Sequence, residues 1–250
     1  MTHLKALIHP RVLLTAASLS VLLSTGCGYL HYAGPLRPQT EQPEAMTVAD
    51  DGSVTYEKDR FEVKLRPLSD AELNRQFSTE SQQGTKSTNP FTYGDTEFKD
   101  KERQRFNVFA LSVKNYAYPK VRIDPGRIVL QASNGREYWS LTERQIDTYY
   151  RIYAIGYAGN AYIQYKNRLD LVKRTLFRNE DIFSGQESEG FVVFPVLHHD
   201  VQQIEAIVQD AVLRFDYRDE PVETLNIGYQ FERDVGRRYR DGSVELSAHH

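Results

Sequence analysis

The chain has 250 residues, a net charge of −3, 26% charged and 40% hydrophobic residues, and one cysteine. That length accommodates one substantial core with an appendage. The mildly acidic balance, with no basic block, excludes a nucleic-acid binder that works through phosphate contacts, and a single thiol excludes an internal disulfide.

The first 26 residues read as a leader. Lys5 and Arg11 make a positive start, no acid occurs before Cys27, and residues 12–23 form an uncharged apolar run. Such a run suits a signal-peptide core and is shorter than the roughly 20 residues a spanning helix needs. Leu23-Ser24-Thr25-Gly26-Cys27 then places small residues ahead of the cysteine. The segment resembles the lipobox of bacterial lipoproteins. Thr25, Gly26 and Cys27 match it, whereas Ser24 stands where leucine is usual and the leucine sits one place earlier, at Leu23. The resemblance implies cleavage before Cys27 and lipid attachment there, so that the mature protein is held to a membrane. Each buried methylene contributes about 0.8 kcal/mol, and firm anchoring takes more than one acyl chain. In a Gram-negative cell, Gly28 after the cysteine implies the outer membrane, facing the periplasm. Cleavage removes Lys5 and Arg11 and no acid, which moves the net charge from −3 to −5.

Residues 27–52 are rich in Gly, Pro, Gln and Thr, and are expected to form a flexible tether, extended at its prolines. From Ser53 the pattern changes. Val54, Tyr56, Phe61, Val63 and Leu65 alternate with polar residues, the period of a half-buried strand. Ser69 begins a capped short helix with Leu73 and Phe77 four apart. Residues 78–100 read as a long polar loop whose Phe91 and Tyr93 dock it against something. In residues 105–114, Phe109, Leu111 and Val113 occupy one strand face, and Phe106 and Val108 the other. A turn at Asp124-Pro125-Gly126, a strand at 128–132 and a hairpin at Asn134-Gly135 follow. Further strands are predicted over 191–194, 211–217 and 224–231.

Residues 142–178 break this pattern. Thr142-Glu-Arg-Gln145 is a capping-box set. Ile146, Tyr149, Tyr150, Tyr153 and Tyr157 recur at helical spacing, Gly156 to Asn160 is a break, and Tyr162, Tyr165, Leu169, Val172 and Leu176 form a second stripe. Two helices are therefore predicted inside the β region. Residues 234–250 are polar and aperiodic, and are expected to be a disordered tail.

Taken together, residues 108–115, 121–125, 128–130, 134–138 and 185–194 resemble the telokin-like, immunoglobulin-like domains of bacterial lipoproteins of unassigned function, over about residues 104–232. The resemblance implies an antiparallel sandwich without catalytic residues, and names no ligand. The expected architecture is thus mainly β: an immunoglobulin-like β-sandwich over residues 53–233 with an inserted pair of α-helices over 142–178.

The chemistry-bearing sets are sparse. His198-His199-Asp200 is the nearest approach to a metal cluster, but neighbours on a strand point to opposite faces, and no Cys–His spacing supports zinc. Gly185-Gln-Glu-Ser188-Glu-Gly190 lacks the spacing of a nucleophile elbow and reads as a turn ahead of a strand. Glu187 and Glu189, like Asp216 and Asp219, are carboxylate pairs in a chain with 34 acids. No cofactor, metal or nucleic acid is expected. The leading functional expectation is a non-catalytic interaction module that binds an envelope protein or polymer through Tyr149, Tyr153, Tyr157, Tyr162 and Tyr165 of the insertion and Phe91 and Tyr93 of the loop, since tyrosine joins apolar area to a polar tip. Packing onto the sandwich is the competing role for the same tyrosines. A cell-envelope hydrolase and a structural spacer are the alternative functions.

Overall fold

The computed structural model describes residues 29–43, 46–82, 86–95, 104–155 and 160–247, with residues 153–155 described by their backbone. The leader, Cys27 and Tyr157 lie outside the described residues. Nineteen elements follow in chain order. They are β1 (Tyr29–Ala33), β2 (Arg37–Pro38), β3 (Met46–Val48), β4 (Val54–Lys58), β5 (Phe61–Leu68), α1 (Asp70–Gln76), α2 (Ser78–Ser81), β6 (Asn107–Asn115), β7 (Lys120–Arg122), β8 (Ile128–Ala132) and β9 (Glu137–Trp139). Then come α3 (Glu143–Ile155), α4 (Asn160–Thr175), β10 (Asp181–Phe183), β11 (Gln186–Phe194), β12 (Gln203–Phe215), β13 (Pro221–Glu232), β14 (Val235–Tyr239) and β15 (Val244–Leu246).

Two antiparallel sheets form a sandwich. One runs β11-β6-β5-β4-β3. In the other, β13 flanks one edge of β12, with β2 beyond it; β8 and β7 share the opposite edge, with β9 beyond β8 and β10 beyond β7. Period-two burial closes the space between them. Phe61, Val63, Leu65, Phe109, Leu111 and Val113 of the first sheet meet Ile128, Leu130, Ile204, Ala206, Ile227 and Phe231 of the second. Tyr229 is fully buried, and its hydroxyl donates to the Val63 carbonyl at 2.8 Å, tying the sheets together through the core.

The outer face of the five-stranded sheet carries a second core. Phe106, Val108, Phe191 and Val193 pack there against Leu73 and Phe77 of the α1 region, Phe91, Ile146 and Tyr150 of α3, and Leu171 and Val172 of α4. The expected pair of helices is present, and it forms a third layer. Its start is fixed by the predicted capping box: the Thr142 N–H donates to the Gln145 side chain at 2.8 Å, and the Gln145 N–H to the Thr142 hydroxyl at 3.3 Å. Both ends of the insertion are stitched to the free edge of β11, by Leu141 N–H to Val193 O at 2.7 Å and Phe177 N–H to Phe191 O at 2.9 Å. That contact covers a sheet edge that would otherwise be open. It also requires Gly190, because a Cβ there would lie 2.5 Å from the Phe177 main chain.

Three expectations are corrected. Described residues of the expected tether are paired: β1 lies against β14, β2 against β13 and β3 against β4. The polar side chains responsible read as tether composition. The Gln42 amide closes two hydrogen bonds with the Gln230 main chain, at 2.7 and 3.0 Å, in the manner of a strand partner, and Arg37 pairs with Glu232 and Asp234. The expected disordered tail contains β14 and β15, a hairpin turning at Gly242 with φ +88°. Finally, β12 begins at Gln203 rather than near Ala211. A bulge at Asp210, φ +50°, shifts its register so that Val208 and Ala211 both face the core.

Candidate binding face

In the third layer the helix pair meets described residues of the 78–100 segment, through Tyr150 at Pro90 and Arg168 at Ser87. Ser69 caps α1 through a capping box with Glu72, and the chain then turns through α2 into a compact arch. Asn89 holds the arch. Its buried amide donates to Ser81 Oγ at 2.9 Å and accepts from the Phe91 N–H at 2.9 Å. Phe91, only 1% exposed, sits 5.3 Å from Phe191 and 5.9 Å from Phe77, ring centre to ring centre. It is therefore a core residue, and its expected place on a partner-binding surface is corrected. The docking of the segment, which the same residue predicted, holds.

The tyrosines divide by depth. Tyr150 is buried, with its hydroxyl donating to the Pro90 carbonyl. Tyr149 is half-buried, 5.2 Å from Phe106 and 5.0 Å from Tyr150. Tyr165, also half-buried, bonds through its hydroxyl to Asp147 across the helix pair. These three pack the layer onto the sheet and its helices onto each other. Tyr162 is 51% exposed and carries Lys166 over its ring at 5.0 Å. Ile152 and Ile163 are 70% and 58% exposed. The contacts of Lys173 with Glu143 and of Tyr165 with Asp147 show that α3 and α4 run antiparallel, which brings Ile152 to the same end of the pair as Tyr162 and Ile163. Tyr153 lies on α3 just before that end.

Beneath the layer is a charged cluster that sequence reasoning missed. Arg105 donates to the Tyr150 hydroxyl at 2.7 Å and lies 4.2 Å from the centre of the Tyr93 ring. Arg168 donates to the Ser87 carbonyl and lies 5.2 Å from the centre of the Tyr150 ring. Burial, together with the nearby Arg105 charge, draws the Arg168 guanidinium below its ordinary range, while Tyr150 opposes this. Burial likewise pushes the Tyr150 phenol up. Asp70 completes the set. Burial raises its carboxyl to about 6, against the attraction of Arg105. Its Oδ1 is shut from solvent and has no hydrogen-bond partner among the described residues. Asp70 also lines a cleft of about 530 Å³, together with Arg66, Glu72, Gln104 and Arg233. The signal was present in the sequence only as isolated charges 35 and 63 positions apart, and helical periodicity cannot bring those together.

The other candidate sets stay apart. Glu187 is engaged by the Tyr116 hydroxyl at 2.8 Å near the start of β11. His198 lies beyond the far end of that strand, more than about 20 Å away at 3.3 Å per residue. Asp219 pairs with Lys120 and Arg122. His198 Nδ1 lies 2.7 Å from Asp200, and His199 stacks on His31 of β1 with ring centres 3.5 Å apart. Among the described residues, no group of three or more His, Cys, Asp or Glu could hold a metal ion. Gly185, φ +84°, makes the expected turn ahead of β11. No described helix is long and apolar enough to cross a membrane.

No protein-family model and no curated protein matches the chain. Among solved structures, the chain is similar to a secreted protein of Mycobacterium tuberculosis, MPT63, at 10% identity over 66% of this chain and 91% of that one, with a TM-score of 0.29. A likeness of that order says nothing of what this chain does.

Proposed function

We propose that this protein is a lipid-anchored, extracytoplasmic interaction module that engages a cell-envelope protein through the far end of its helical layer. The carrying observation is the joint exposure of Ile152, Tyr162 and Ile163 at one end of an otherwise well-packed helix pair. Buried aromatic and aliphatic anchors supply most of the energy in protein interfaces, and a hydroxylated glycan offers such tips little to bury against. The anchor half of the reading rests on the leader and on Cys27. It predicts that Cys27→Ser abolishes lipid labelling; persistence of the label would refute it.

The module half is tested by placing a photo-crosslinking residue at position 163 in the full chain in living cells. A discrete protein adduct is expected. It should be lost when Ile152 and Tyr162 are replaced by serine, with the melting temperature unchanged to within about 3 °C, because surface changes of this kind cost about 0.5 kcal/mol or less. Adducts that survive the double substitution, or adducts with envelope polymer alone, would overturn the assignment to a protein partner.

A further inference from the structure

Arg105 and Arg168 are an unusual pair. Each is half-buried and each is held near the Tyr150 ring, at 5.5 and 5.2 Å from its centre. Neither makes an ion pair with any described carboxylate, although exposed arginines elsewhere, such as Arg37, Arg136 and Arg174, do. The Nε of both is shut from solvent and has no hydrogen-bond partner among the described residues. The protein partners they do have are neutral: a phenol hydroxyl for Arg105 and a carbonyl for Arg168. A guanidinium offers five N–H donors in a fork that matches a carboxylate or phosphate. Two of them, partly withdrawn from water and without an ion-pair partner among the described residues, are stabilised by any oxyanion that reaches them. The surroundings are stiff, because Asn89 fixes the arch that supplies Ser87 and Pro90, and Tyr150 is anchored from both sides. The two guanidinium groups, fixed through Tyr150 and Ser87, are thus held in place before a ligand arrives, which lowers the ordering cost of binding.

We infer that Arg105 and Arg168, framed by Tyr93 and Tyr150, form a binding site for an oxyanion, a phosphate or carboxylate group carried by an envelope molecule. This goes beyond the proposed protein interface: it uses the inner side of the helical layer rather than its tip, and either reading can fail without the other. Arg105 attracts the buried Asp70 carboxyl, yet no ion pair forms between them, so Asp70 competes weakly with an incoming anion.

The test uses the full chain and follows the Arg side-chain Nε–H resonances by NMR while inorganic phosphate, and separately acetate, is added at constant ionic strength. Saturable shifts of the Arg105 and Arg168 resonances are expected. Arg105→Gln and Arg168→Gln should each weaken binding about tenfold or more, Asp70→Asn should tighten it, and Arg174→Gln on the outer face should leave it unchanged. Phosphate saturating at lower concentration than acetate assigns a phosphate ligand, and the reverse order assigns a carboxylate. Competition by phosphatidylglycerol vesicles would place the phosphate on a lipid headgroup, and its absence on a diffusible molecule. Should either glutamine variant fail to fold, Arg168→Lys keeps the charge but loses the fork and should bind several-fold more weakly. Linear, non-saturating shifts that sodium chloride reproduces, or binding unaltered in the arginine variants, would overturn the inference.

Discussion

Replacing Asp70 with asparagine should stabilise the protein, and only above acidic pH. Asp70 is the first residue of α1, and its Oδ1 is buried without a hydrogen-bond partner among the described residues. Burial raises its carboxyl to about 6 in the folded chain, whereas an unfolded aspartate titrates near 3.9. The folded state therefore holds the proton more tightly than the unfolded state. The stability this contributes is fully present below about pH 4, and is lost as pH rises through about 6. At about 1.4 kcal/mol per pH unit, keeping Asp70 ionised in the folded chain costs about 3 kcal/mol at pH 8. Asparagine keeps the shape and removes the charge. It forgoes about 0.3–1 kcal/mol of favourable charge placement at a helix N-terminus, the attraction of Arg105 being already contained in the raised carboxyl. The expected net gain is about 2 kcal/mol at pH 8, falling to near zero at pH 4. For a chain of this size that corresponds to about 4–8 °C in melting temperature. Urea and thermal unfolding from pH 4 to pH 8 at fixed ionic strength measure it. Parallel pH profiles for the two proteins, or a less stable variant at pH 8, would refute the reasoning.

Three further outcomes follow from the packing. Gly190→Ala should destabilise by roughly 1–3 kcal/mol, because its Cβ meets the Phe177 main chain, and hydrogen exchange should rise at the Phe177 amide; a neutral substitution would show that the insertion's exit does not need that close approach. Arg233→Met should cost about 2–4 kcal/mol by stranding the Val201 and His198 carbonyls that the buried guanidinium serves, whereas a stabilising effect in denaturant melts would mean that desolvation outweighs those bonds. The third concerns the stack that joins β1 to the loop after β11. Burial lowers the His199 pKa, His31, His198 and Arg136 add to the effect, and Asp200 opposes it. A histidine depressed in the folded state loses its stabilisation as pH falls through its unfolded value, near 6.5. Protection factors at β1, taken against the intrinsic exchange rate at each pH, should therefore fall between pH 8 and pH 5 in the native chain and not in His199→Phe; equal behaviour of the two would exclude the stack as the cause.

Much of the layer pattern was legible in the sequence because it is local. Alternation placed Phe109, Leu111 and Val113 opposite Phe106 and Val108, and the two faces became two cores. Capping chemistry marked Ser69 and Thr142, and Asn134-Gly135 marked a hairpin. Elements failed to show where a local signal was missing. The β4–β5 turn uses Asp59 and Arg60, both at positive φ and neither a glycine, and so carries no turn signature. Gln203 to Val208 alternates in the strand pattern, yet the bulge at Asp210 interrupts the period that would have joined it to the residues after it.

Sequence by itself determined that this chain alternates into strands and interrupts them with a tyrosine-rich helical pair, because both are written in a period of a few residues. Only the tertiary structure decided what those tyrosines do. Tyr149, Tyr150 and Tyr165 serve packing while Tyr162 stays exposed, and Phe91 belongs to the core. It also decided that residues composed like a tether and a tail are held as strands, and that Arg105 and Arg168 meet at Tyr150. A helical stripe states which side chains share a face. Which stripe turns inward, and which distant charges it covers, depends on the sheet surface it lands on, and that surface is assembled from residues far away in the chain.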